Sequence, residues 1–163
     1  MIVLYRVDER LIHGQVVIGW GSQLRPDRYL VVDDDLAGSD WEMELYRLGL
    51  PEGGAAEFLT VAEASERLPD LQQDEQRSVL LTRDVATMLR LGEAGLLGGA
   101  TVNLGGIHHA PGRVQVRPYV YLDEEDRWRL ERLQELGVAV TARDLPGSAR
   151  VTLETLLKAM SEP

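Results

Sequence analysis

Cysteine is missing altogether and lysine occurs once, at Lys158, in a chain of 163 residues. Without thiols there is no disulfide framework, no thiolate metal site and no cysteine nucleophile. With its one lysine near the C-terminal end, the chain has none beside its charged N-terminal segment for Schiff-base or Walker-type phosphate chemistry. No apolar run approaches the roughly 20 residues of a membrane-crossing helix, and no basic-then-apolar leader resembles a signal peptide. A cytoplasmic protein is therefore expected. Positive charge is also short: 17 Lys and Arg against 27 Asp and Glu give a formal net charge of −10. That is the wrong sign for non-specific binding to nucleic acid or an anionic membrane. An acidic surface favours solubility and also suits a partner protein with a basic docking face.

What is present reads as alternating strands and amphipathic helices in one domain over residues 1–163. Strands are expected at Ile2–Arg6, Arg28–Val32, Ala55–Thr60, Ser78–Thr82, Ala100–Leu104, Val114–Val116, Tyr119–Leu122 and Val138–Ala142. A helix over Gly14–Leu24 should carry Val16, Val17, Trp20 and Leu24 on one face, and Pro26 should end it. Ser39-Asp40-Trp41-Glu42 and Thr60-Val61-Ala62-Glu63 have the capping-box pattern. The first box predicts a helix that buries Trp41, Leu45 and Leu48, and the second a helix to about Leu68, ahead of Pro69, with a polar surface loop over Gln72–Arg77. Further helices are expected at Asp84–Leu91, after the acidic run Asp123–Asp126 as far as Gly137, and through Leu153, Leu156, Leu157 and Met160. This order implies an α/β fold with an open, mainly parallel twisted sheet and helices on both faces. Ligands of such sheets bind beyond the C-terminal strand ends, where three polar loops should converge: Val7–His13, Asp33–Asp35 and Asn103–His109.

The first of these loops concentrates the chemistry. Arg6-Val7-Asp8-Glu9-Arg10-Leu11-Ile12-His13-Gly14-Gln15-Val16 places two arginines, two carboxylates and a histidine between a strand and a helix start. Backbone N–H groups and the positive helix end favour an anion there. A histidine that accepts a phosphoryl group must offer a neutral ring nitrogen, which Arg6, Arg10 and the helix terminus favour. The same arginines are placed to stabilise phosphoryl oxygens. Asp8 is placed to hydrogen-bond the other ring nitrogen and fix the tautomer, or, with Glu9, to orient the arginines. The plainer alternatives are a surface histidine capping a helix and a solvated ion-pair cluster.

His108-His109 is a poor chelating pair, because neighbours on an extended chain point opposite ways; no metal site is expected. Gly105-Gly106 reads as backbone approaching a ligand or as a plain turn, and Asn103 as a partner of the first loop. The three aspartates at 33–35 suit capping of the segment at Leu36 or repulsion of wrong ligands better than magnesium binding. Trp20, Trp41 and Trp128 lie at helical spacing from other apolar residues and read as core.

Taken together, Ile2-Val3-Leu4 followed by RVDERLIHGQVVIGW resembles the opening of the IIB subunits of the mannose/fructose/sorbose class of the bacterial phosphoenolpyruvate-dependent sugar phosphotransferase system. The likeness continues through Val31–Ala37, Val102–His108, Gly112–Val116, Tyr121–Asp126 and Gly137–Val140; Pro51–Leu97 matches only in layout. The resemblance implies an open α/β fold and no bound cofactor. It implies that His13 takes a phosphoryl group on Nδ1 from a phosphohistidine of a IIA protein and passes it to a sugar carried by membrane IIC and IID subunits. On that resemblance the site comprises His13, Arg6, Asp8 and Arg10, with Gly14, Gln15, Asn103, Gly105 and Gly106 around the phosphate or its loop. The protein would then be cytoplasmic and peripherally associated with the permease. A regulatory phosphoprotein using the same histidine without sugar transport is the alternative, and a phosphate- or nucleotide-binding module a third reading. Sugar choice would reside mainly in the membrane subunits, and no residue pattern specifies an oligomeric state. Thr82-Arg83 departs from the asparagine-proline type turn of many members, leaving Arg83 either beside the site or facing solvent.

Overall fold

The structure, a computed structural model, describes residues 1–162. The chain runs β1 (Ile2–Val7), a six-residue π-helical segment (Gln15–Trp20), α1 (Gly21–Leu24), β2 (Arg28–Val32), α2 (Asp40–Arg47), β3 (Ala55–Leu59), α3 (Val61–Gln73), β4 (Ser78–Thr82) and α4 (Val85–Glu93). It continues with β5 (Thr101–Leu104), β6 (Val114–Arg117), β7 (Val120–Leu122), α5 (Glu124–Glu135), β8 (Ala139–Ala142), β9 (Val151–Thr152) and α6 (Leu153–Ser161). Seven strands form one sheet in the order β3-β2-β4-β1-β5-β8-β9, parallel except where β9 meets β8. Strands β6 and β7 make a separate antiparallel hairpin. The α/β architecture expected from the alternating pattern is thus present, with helices on both sheet faces.

The two faces differ. On one, Tyr5, Val7, Leu30, Leu80, Val102 and Val140 are buried under α3, α4, α5 and α6. On the other, Tyr29, Val31, Val79 and Leu81 lie under Leu11, Ile12, Val16 and Leu36, with Met43, Tyr46 and Leu50 packed at the margin. This second layer covers the β2, β4 and β1 side. Across the same face the register continues from Arg6 to Asn103 and Thr141. There the alternating strands TVNL and AVTA turn polar side chains outward, and Thr101 is exposed. Apolar strands gain a cover and polar ones do not.

Strand β1 is the pivot. The chain builds β2, β3 and β4 to one side of it, then crosses to β5 and β8 on the other. The strand order therefore reverses at β1, which is where open α/β sheets leave a crevice beyond their strand ends.

Several local expectations are corrected. α2 forms, but without its capping box: Ser39 makes no side-chain cap bond, its N–H is spent on the Leu36 carbonyl (3.0 Å), and the Glu42 carboxylate lies 3.7 Å from Arg83. The helix buries Met43 and Tyr46 in part and leaves Trp41, Leu45 and Leu48 outside, at 70, 60 and 82% exposure. Trp128 is also exposed, so only Trp20 of the three tryptophans belongs to the core. α3 has its capping box between Thr60 and Glu63 but runs through Pro69 to Gln73. Leu71 is buried beyond the proline, and Gln72 donates to the Tyr5 hydroxyl (2.9 Å) and the Leu96 carbonyl (2.8 Å). The helix expected over Gly14–Leu24 opens as a π-turn, with the Gly21 N–H reaching back to the Val16 carbonyl. Gly19 lets it lie against the 143–148 loop, since a Cβ there would stand 2.6 Å from the Leu145 side chain. Strand β9, two residues long, has no counterpart among the expected strands.

Candidate phosphoryl-transfer site

The loop after β1 turns sharply. The Asp8 side chain accepts from the Arg10 N–H (3.1 Å), the Leu11 N–H bonds to the Asp8 carbonyl (3.0 Å), and buried Leu11 takes a left-handed φ of 53°. Non-glycine residues seldom adopt that conformation, and its burial holds the strain in place. His13 follows, directly ahead of the π-turn.

Arg6 lies beneath this loop at 0% exposure. Its Nε donates to Asp8 Oδ2 (3.3 Å), Nη2 to Asp8 Oδ2 (3.2 Å) and the Asp144 carbonyl (3.2 Å), and Nη1 to Asn103 Oδ1 and the Arg143 carbonyl (2.8 Å). The guanidinium carbon sits 5.3 Å from the centroid of the Trp20 ring. All of the guanidinium's donors are thereby engaged inward. Burial lowers the Arg6 pKa, and the neighbouring Asp8 carboxylate opposes that shift. The expectation that Arg6 faces phosphoryl oxygens is corrected: it has no donor left to offer, and it holds Asp8 instead.

Asp8, also at 0% exposure, is the hub. Besides Arg6 and the Arg10 N–H, it accepts from the Gly106 N–H at 3.3 Å, and its Oδ2 lies 3.2 Å from His13 Nε2. That last contact has hydrogen-bond length but lies off the straight N–H line. Burial pushes the Asp8 carboxyl up, but His13, Arg6 and the Arg10 N–H outweigh it and hold the group below the ordinary carboxylate range. His13 is 14% exposed. Its Nε2 is buried against Asp8, while Nδ1 makes no hydrogen bond among the described residues. The N–H groups of Ile12, His13 and Gly14 likewise have no backbone acceptor among the described residues.

Arg10 is exposed, and its Nη2 donates to Gln15 Oε1 at 3.0 Å, so the side chain bridges to the first residue of the π-turn. Gly14 is not demanded by space, since a Cβ there would meet nothing within 4 Å. Gly105 and Gly106 are. A Cβ on Gly105 would stand 2.3 Å from the Arg6 guanidinium, and one on Gly106 3.3 Å from Asp8 Oδ1 and 3.4 Å from His108 Nε2. The close approach inferred from the two glycines is therefore to the protein's own buried ions rather than to a ligand.

The third loop closes on the first. The Glu9 N–H bonds to the Gly106 carbonyl (2.8 Å), and the Glu9 carboxylate meets His108 Nδ1 (3.1 Å) and Arg113 Nη1 (2.7 Å). His109 turns away to an edge-on contact with Tyr121, so the two histidines diverge. The aspartates behave as caps. Asp33 accepts from the Asp35 and Leu36 N–H groups (3.1 and 2.9 Å), while Asp34 accepts from the Val61 N–H (2.8 Å) and pairs with Arg90 (2.7 Å). Asp33 reaches toward the loop only through half-buried Arg83, at 4.0 Å. Arg83 also lines a recess of about 290 Å³ with Glu9, Asp84 and Arg113. The carbonyls of Arg143 and Asp144, which anchor Arg6, carried no sequence signal, because any residue supplies a carbonyl.

Strand order and loop together define a class: an open, mainly parallel α/β protein whose first loop presents a carboxylate-backed histidine at the point where the order reverses. The family model described as "PTS system sorbose subfamily IIB component" matches residues 2–162, and the chain belongs to that family of phosphocarrier components of the sugar phosphotransferase system. The chain is 32% identical over 155 residues to the sorbose-specific EIIB component of Klebsiella pneumoniae, covering 93% of this chain and 92% of that protein. It is 31% identical over 150 residues to the N-acetylgalactosamine-specific phosphotransferase enzyme IIB component 1 of Escherichia coli, covering 91% and 94%. The crystal structure of the IIBSor domain of the Klebsiella pneumoniae sorbose permease superimposes with a TM-score of 0.87 at 26% identity, over 97% of each chain.

Proposed function

We propose that His13 is the phosphoryl carrier of this IIB component, charged by a phosphohistidine on a IIA protein and discharged onto a sugar presented by membrane IIC and IID subunits. The observation that carries this reading is the orientation of the ring: Nε2 lies against buried Asp8, 3.2 Å away, and Nδ1 makes no hydrogen bond among the described residues. Asp8 favours the tautomer with the proton on Nε2, so the lone pair is on Nδ1. In the first transfer Nδ1 forms a bond to phosphorus as the donor's N–P bond breaks, and Asp8 offsets the positive charge that develops on the ring. In the second, a sugar hydroxyl oxygen forms the new bond to phosphorus, Nδ1 leaves with its electron pair, and the hydroxyl proton passes to solvent or a base. Arg10, exposed and linked to Gln15, and the N–H groups of residues 12–14, which have no backbone acceptor among the described residues, receive the phosphoryl oxygens. Arg6, Asn103, Gly105 and Gly106 position Asp8 from below. Among the described residues no helix is long and apolar enough to cross a membrane, which suits a subunit that docks on a permease rather than spanning the bilayer.

The test is a reconstituted relay: this protein, phosphoenolpyruvate, the two general phosphotransferase proteins and a class-matched IIA, with acid-labile phosphate read by mass. His13 gains one phosphoryl group, His13→Ala gains none, and Arg10→Ala is charged slower by about a hundredfold with unchanged stability. A folded protein left unlabelled by a phosphorylated IIA overturns the reading. Adding IIC/IID membranes then separates sugar transfer from a regulatory role.

A further inference from the structure

The helix-free half of the second sheet face holds an open groove of about 330 Å³, within the size range of small-ligand sites. Its floor and walls include Thr101 and Asn103 of β5, Thr141 of β8, and Arg143, Arg150 and Trp20. In a chain with 27 acidic residues and a net charge of −10, none of the groove's lining residues is acidic. Two arginines line it. Arg143 spends its Nε on the Ser148 carbonyl at 2.8 Å, and neither Arg143 nor Arg150 is within ion-pair distance of a carboxylate among the described residues. The groove is thus a concentration of unspent positive charge on an acidic molecule. Beside the charge, the Thr101 and Thr141 hydroxyls make no hydrogen bond to another residue among the described ones. The remaining wall, from Ile2 to Tyr5 and at Ala100, is largely apolar.

We propose that this groove binds a small phosphate monoester that also carries hydroxyl groups, of the hexose-phosphate class. Arg143 and Arg150 take the phosphate, for which forked guanidinium donors are suited. Thr101 and Thr141 exchange hydrogen bonds with the hydroxyls, and the apolar wall takes the C–H face of the ring. The site is separate from His13, although the two share Asn103, whose Oδ1 accepts from Arg6. Occupancy does not depend on the carrier role of His13.

Isothermal titration of the whole chain tests the assignment, with glucose 6-phosphate, glucose and inorganic phosphate as probes. One glucose 6-phosphate binds per chain, glucose alone does not, and inorganic phosphate binds more weakly than the ester. Arg150→Ala weakens the ester by about tenfold or more, and Thr101→Val weakens it severalfold. Both positions are exposed, so neither variant endangers the fold, and unchanged melting temperatures verify this. Binding in His13→Ala equals that of the parent chain. Absence of binding at millimolar ester, or equal affinity in Arg150→Ala, overturns the site. Inorganic phosphate binding as tightly as the ester overturns the role given to the threonines and the apolar wall.

Discussion

At the end of β1 and in the loop after it, Arg6 and Asp8 lie at 0% exposure, whereas in α2 and at its C-terminal end Trp41, Leu45 and Leu48 stand 70, 60 and 82% exposed. The most densely charged stretch of the chain reaches its deepest interior, while three of its large apolar side chains face water. What separates the two regions is how their groups are satisfied. Arg6 gives every donor to Asp8, Asn103 and two carbonyls, so its charge is buried without an orphaned N–H. α2 has two apolar stripes, and Met43 and Tyr46 won the inward position, with Tyr46 against Phe58 and Arg47 over the same ring. Burial here follows partnership rather than polarity.

The sharpest way to break that contrast is to strip the loop of one partner. Asp8→Ala leaves Arg6 as an uncompensated buried charge and should cost about 3–5 kcal/mol, read as a lower midpoint in chemical denaturation. Arg6→Met in the same chain should recover part of the loss, because the orphaned charge is then gone. A single-variant loss under about 1 kcal/mol would mean that the pair is not holding the loop.

Next in size is steric. Gly105→Ala drives a methyl group into the Arg6 guanidinium and should cost about 1–3 kcal/mol, while Gly14→Ala, with nothing within 4 Å, should stay within about 0.5 kcal/mol of the parent. Equal effects at the two glycines would contradict the packing beneath Arg6.

Acid offers a gentler probe of the same pair. The Asp8 pKa is held below its ordinary value in the folded state. The folded chain therefore binds fewer protons than the unfolded one just below the ordinary carboxylate range. The stability Asp8 supplies is complete above that range and is lost as pH falls through the lowered folded value. Melting temperatures followed downward from pH 5 should fall more steeply in the parent than in Asp8→Asn, and parallel curves would remove Asp8 from the account.

The smallest effect belongs to the other region. Trp41→Ser and Leu45→Ser should each change stability by no more than about 0.5 kcal/mol. A loss comparable to that of a core truncation would show that the exposed stripe of α2 is covered in solution.

These contrasts also explain what could be read from the residues alone. Runs such as Tyr29–Val32 and Val79–Leu81 announce themselves as strands, because a parallel strand covered on both faces has no polar face to alternate with. The contact between Asp8 and His13 was legible because both lie within one turn. The inward course of Arg6 was not, since its anchors are main-chain carbonyls 137 and 138 residues further on. α2 shows why periodicity stops short: it groups residues onto a face without saying which face meets the core. At Pro69 the cost of a broken helix bond, about 3 kcal/mol, was visible. The burial of Leu71 and the bonds of Gln72 that offset it were not.

The central position of β1 bears on the order in which the molecule is made. It precedes the other strands of its sheet, yet its neighbours are β4 and β5, so neither edge can be paired until residues 78–82 and 101–104 have emerged. The Arg6 guanidinium waits longer still, for the carbonyls at 143 and 144. Loop closures of that span slow folding and leave an apolar strand unpaired during synthesis. The histidine loop is thus assembled late, since the ion pair beneath it is complete only once residues 143 and 144 have been made.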